Sequence, residues 1–71
     1  MEATTKTYEP QKFHSLQQAV DFARKDSQEK ETALFVIRDI QQECYYVDDD
    51  ALIRSFEKLV ATFDNGKRIY D

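Results

Sequence analysis

A chain of 71 residues sets the scale of one domain, and its net charge of −4 argues against a surface that tracks nucleic-acid phosphates or docks on anionic membranes. Ten Lys and Arg are scattered among fourteen Asp and Glu, so no basic stripe stands out in the sequence. A hydrophobic content of 41%, with five Phe and four Tyr, is too rich for a disordered chain, and almost every large apolar side chain is needed for so small a core.

Cys44 is the single cysteine, which excludes an internal disulfide and a cysteine-based zinc site within one copy. Met1 to Lys6 lacks the apolar stretch of a signal peptide. The longest apolar run, Ala33 to Ile37, is far too short for a membrane helix. These features predict a single domain over 1–71, cytoplasmic, with residues 1–6 frayed, without a cofactor and without a membrane partner.

The first element in chain order is an edge strand within 6–13, kept from a central position by Pro10, which lacks an amide donor. A helix follows over 15–28. Ser15 is its expected N-cap and Gln18 completes a capping-box pattern. Leu16, Ala19, Val20 and Ala23 fall on one stripe, with Phe22 beside it, and Asp21 and Lys25 are spaced for an i,i+4 ion pair.

A hairpin over 33–47 comes next, its arms being Ala33 to Arg38 and Glu43 to Val47. Setting Arg38 against Glu43 fixes the register and divides the side chains between two faces. Ala33, Phe35, Ile37, Cys44 and Tyr46 share one; Leu34, Val36, Tyr45 and Val47 share the other. Both are apolar, although a half-exposed antiparallel sheet is normally polar on one side.

The segment 50–64 reads as a second helix. Leu52, Ile53, Phe56, Leu59, Val60 and Phe63 lie within one stripe, and Asp48, Asp49 and Asp50 stand where carboxylates cap a helix start. Asn65-Gly66 then either ends this helix or turns a hairpin between 60–64 and 67–70. The unbroken stripe favours the helix, leaving 67–70 as a final strand. The expected fold class is therefore α+β, in the order (β)αββα(β), with a small antiparallel sheet packed by two helices.

No catalytic constellation emerges. His14 precedes a helix cap and pairs with Cys44 only if the fold brings them together. The triplet Asp48–Asp50 lacks the alternating ligands, central Gly and distal Glu of a calcium loop. Tyr45 and Tyr46 suggest base stacking, but the three Asp that follow repel phosphate. The leading expectation is a non-enzymatic protein-interaction domain that self-associates as a homodimer through the face of Leu34, Val36, Tyr45 and Val47. Two other readings are a nucleic-acid-associated domain using the strand tyrosines and a minor subunit of an enzyme complex.

Overall fold

The computed structural model describes residues 8–50 and 53–69; the expected fraying of residues 1–6 lies outside them. One helix crosses one face of a five-stranded antiparallel sheet. The elements are β1 (Gln11–Phe13), α1 (Leu16–Lys30), β2 (Ala33–Asp39), β3 (Cys44–Asp48), β4 (Glu57–Asp64) and β5 (Lys67–Ile69). In space the strands run β1-β3-β2-β4-β5, so β2 is the central strand.

The helix forms as its sequence predicts. Ser15 is extended, and its Oγ accepts the Gln18 amide at 3.5 Å. Ala19 and Ala23 are wholly buried, and their small side chains bring the helix close to the sheet. Asp21 pairs with Arg24 at 3.7 Å, three residues on rather than four. Glu31 closes the helix in the left-handed region, with φ 52°.

The expected second helix over 50–64 is absent: Glu57–Asp64 is a strand beside β2, preceded by irregular chain at 53–56. Two features account for the difference. A β-bulge sets Val36 against Ala61 and Ile37 against Leu59, leaving Val60 as the extra residue. The bulge interrupts alternation, so Leu59, Val60 and Phe63 mimic helical spacing while belonging to a strand. Beyond it, Asn65 (φ 51°) and Gly66 (φ 85°) form the two-residue turn joining Asp64 to Lys67. Positive φ at both central positions is what the right-handed strand twist requires of a tight hairpin.

The hairpin β2–β3 keeps the expected division of faces, but its turn slides by one residue. Asp39 pairs with Cys44, and Val36 with Val47. Asp39 Oδ1 accepts the Gln42 amide at 2.9 Å, which starts the turn at Asp39. Glu43, with φ 54°, completes it. Arg38 accordingly lies opposite Tyr45, not Glu43, and its guanidinium sits 5.8 Å from that ring's centre.

The core lies between α1 and the sheet. Leu34, Val36, Val47, Ala61 and Phe63 meet Tyr8, Ala19 and Ala23 there. Phe13 and Phe22 close one side, with ring centres 5.2 Å apart. Tyr8 donates its hydroxyl to Asp26 Oδ2 at 2.8 Å, and Lys30 reaches Asp26 Oδ1 at 2.7 Å. This cluster fastens the chain before β1 to the last turns of the helix.

Burial, followed by the hydrogen bond and charge of Asp26, holds the Tyr8 hydroxyl far above the ordinary tyrosine range. In the unfolded chain Tyr8 deprotonates near pH 10, while the folded chain retains the proton. The resulting stability is complete below that pH and is lost as pH rises toward the folded value. Alkaline unfolding of the native chain should therefore become easier from about pH 10 upward. Tyr8→Phe should flatten that dependence; an identical alkaline slope in the two chains would contradict the assignment.

Candidate functional site

The two faces of the sheet have different fates. Leu34, Val36 and Val47, expected from the sequence as a dimer surface, are 0% exposed beneath α1. Tyr45, their fourth member, is half-buried and packs against the same core. The helix covers this face because its Ala-rich stripe fits the valines and leucine there, so those four residues offer a partner little surface. The face left accessible is the opposite one.

On that open face lie Asp50, Arg54 and Phe56 of the connection from β3 to β4, beside Ile37 and Tyr46 of the sheet. Both strands are antiparallel to β2, and hence parallel to each other, on opposite sides of it. β3 ends at Asp48 beside Phe35, whereas β4 begins at Glu57 beside Asp39, so the chain must return along β2. Near its end the connection is pinned by short hydrogen bonds. Ile40 N donates to the Phe56 carbonyl at 3.0 Å, Glu57 N donates to the Arg54 carbonyl at 2.9 Å, and Glu57 Oε1 accepts the Arg54 amide at 2.8 Å.

Between this connection and the sheet is a cleft of about 450 Å³. Ile37 and Tyr46 of the sheet line it with Phe56 and Pro10. Among the described residues, Asp39, Asp48, Asp50 and Glu57 bring carboxylates to its lining and Arg54 a cation. The Arg54 guanidinium lies 5.8 Å from the centre of the Phe56 ring. At the rim, Gln42 Oε1 accepts both the Tyr46 hydroxyl and Lys12 Nζ at 3.3 Å. The Tyr46 hydroxyl is held above its ordinary value, first by burial, then by the neighbouring Cys44 thiol, and further by the charges of Asp39 and Glu57.

The connection leaves part of the face uncovered. Phe35 pairs with Thr62, which pairs with Ile69, while Ile37 pairs with Leu59. Phe35, Leu59 and Ile69 therefore lie on one side of three strands, β2, β4 and β5. Leu59 is 42% exposed and Ile69 47% exposed.

No protein-family model, curated protein or solved structure matches the chain. The sequence candidates are accordingly judged by position. Phe13 pairs with Tyr45, so His14 and Cys44 are the next residues along β1 and β3. His14 is exposed while Cys44 is 1% exposed, and no hydrogen bond joins them. Asp48 ends β3, with its Oδ1 accepting the Asp49 amide at 2.7 Å, and Asp50 lines the cleft, so the triplet starts no helix. Among the described residues, no three His, Cys, Asp or Glu are grouped to hold a metal ion. Tyr45 and Tyr46 point to opposite faces, one toward the helix and one into the cleft, and do not share a stacking surface. No helix among the described residues is long and apolar enough to cross a membrane.

Sequence reasoning missed the cleft because it requires the chain to double back over β2. The signal that was available is Asn65-Gly66, which, read as a turn, makes 57–64 a strand and forces that return.

Proposed function

We propose that this chain is a non-enzymatic protein-interaction domain that pairs with a second copy of itself through the sheet face opposite α1. The observation that carries the reading is the grouping of Phe35, Leu59 and Ile69 around Thr62 on one side of adjacent strands, two of them exposed branched aliphatic side chains. Isolated exposed apolar residues are ordinary, but a contiguous group costs solubility unless it is covered. A two-fold axis places the same patch on both partners, so one surface suffices. Each large aliphatic side chain withdrawn from water adds roughly 1.5–3 kcal/mol at full burial. Small domains commonly gain buried area in this way. Cytoplasmic residence fits the reading, because the lone buried thiol of Cys44 needs no oxidising compartment.

Size-exclusion chromatography with light scattering provides the test. The native chain should run at twice its 8.4 kDa mass. Leu59→Arg combined with Ile69→Lys should return it to a folded monomer, since both side chains are exposed within one copy, and should abolish the dependence of melting temperature on protein concentration expected of the native dimer. A native chain that stays monomeric at millimolar concentration would overturn the proposal.

A further inference from the structure

The helix side of the sheet carries positive charge where α1 leaves it bare. The helix starts after Phe13, which is level with Tyr45, and its last turns reach the β4–β5 turn, where Gly66 N donates to Ser27 Oγ at 2.9 Å. It therefore crosses the sheet diagonally, away from the ends of β2 and β4 that bear Arg38 and Lys58. These two are exposed and stand directly opposite each other. Alternation from the buried Val36 puts both on the side of α1, while Asp39 and Glu57, next along each strand, line the cleft on the other side. Like charges facing each other across strands are unfavourable. Among the described residues neither cation pairs with a carboxylate, and the Arg38 guanidinium lies 5.8 Å from the centre of the Tyr45 ring. The helix adds an aliphatic wall. Phe22 meets Phe13 on the β1 flank and Ser27 meets the β4–β5 turn on the other. At about 100° per residue, Leu16 and Val20 share the Ser27 flank and overlook β4. Val20 packs against the core, but Leu16 is 42% exposed.

We propose that this corner binds an acidic segment of a partner protein, holding a Glu or Asp carboxylate between Arg38 and Lys58 and an adjoining apolar side chain against Leu16. Directly opposite residues on neighbouring strands have Cβ atoms about 5 Å apart, so a single carboxylate can bridge the two cations. Arg38, with its plane near the Tyr45 ring, has its donor fork for a bidentate contact. A carboxylate there turns a repulsive cross-strand pair into a neutralised one, and the exposed leucine beside it selects a segment that is apolar as well as acidic. A nucleic-acid strand fits less well, because two cations on a chain of net charge −4 release few phosphate counterions. The site is on the side of the sheet away from Leu59 and Ile69, so it operates whether or not the chain pairs with itself.

The test is a nitrogen-15 amide NMR titration of the full chain with a short blocked peptide of alternating glutamate and leucine. The matching lysine–leucine peptide and a short single-stranded RNA serve as comparisons. Saturable shifts confined to residues around Leu16, Arg38, Tyr45 and Lys58 are expected with the glutamate peptide alone, weakening as salt is added. Arg38→Gln should weaken peptide binding by about tenfold, as expected for loss of a charge-assisted hydrogen bond. Lys58→Glu supplies Arg38 with a carboxylate from within the chain. It should abolish binding without lowering the melting temperature, since an attractive cross-strand pair replaces a repulsive one. The chain with Leu59→Arg and Ile69→Lys should show the native shifts around Arg38, which separates this site from the self-pairing face. Shifts spread elsewhere, an equal response to either comparison ligand, the same shifts on concentrating the chain alone, no saturable shift, or undiminished binding by a folded Arg38→Gln or Lys58→Glu chain would each overturn the proposal.

Discussion

Leu34→Ala should lower stability by about 2–5 kcal/mol, the range observed when a fully buried leucine is truncated. Leu34 is 0% exposed on the central strand and pairs with Phe63 of β4, beneath the alanines of α1. The helix is held close by Ala19 and Ala23, whose short side chains have no reach with which to fill the vacated space. A cavity therefore remains, and its cost adds to the lost transfer free energy. In a domain of this size each kcal/mol moves the melting temperature by about 4–8 °C, so a fall of roughly 10 °C or more is expected. Thermal and urea unfolding followed by circular dichroism would read it. Leu59→Ala, the same chemical change on the open face, serves as the comparison and should cost far less. Equal losses at the two positions would contradict the placement of the core.

The second large effect is expected where the β4–β5 turn meets the end of α1. Gly66 has φ +85°, and a Cβ built on it would stand 2.9 Å from the Cβ of Gln28. Its amide donates to Ser27 Oγ at 2.9 Å, and that hydroxyl in turn donates to the Arg24 carbonyl at 3.0 Å. Gly66→Ala meets both a left-handed backbone and a crowded helix, and should cost about 2 kcal/mol or more. Ser27→Ala removes the acceptor of a part-buried amide and should cost about 1–3 kcal/mol. Because both substitutions loosen one junction, the double variant should lose less than the sum of the two. Urea midpoints of the four chains would settle this; strict additivity would mean that the hydroxyl and the turn act separately.

Much of the helical half was legible in the residues. Ser15 has a hydroxyl for the Gln18 amide, and Ala19 and Ala23 recur at the spacing of a buried stripe, so α1 follows from local chemistry. The strands β2 and β3 were legible as faces because side-chain alternation survives a slip of register by two positions. Their exact pairing depends on Asp39 bonding the Gln42 amide, a choice between equally polar neighbours that periodicity does not weigh. The segment 50–64 was misread because the bulge at Val60 disguises a strand and because Asp48–Asp50 resembles a cap. Tertiary pairing with β2 outweighs that local pattern. The accessible surface follows from this correction: once 57–64 is a strand, the face of Leu34 and Val47 is sealed and the face of Ile37 and Leu59 is open. The Leu59 grouping and the cleft both depend on the return of the chain over β2, which only the hairpin reading of Asn65-Gly66 would have revealed.

Among the described residues the outermost strands, β1 and β5, are only three residues long, Pro10 adjoining one and Lys67 and Arg68 occupying the other. Each margin presents too brief a ladder of main-chain groups to template another copy, and the flanking imino acid and positive charges discourage such growth. Edge-to-edge stacking of this chain is thereby disfavoured at the described borders of its sheet.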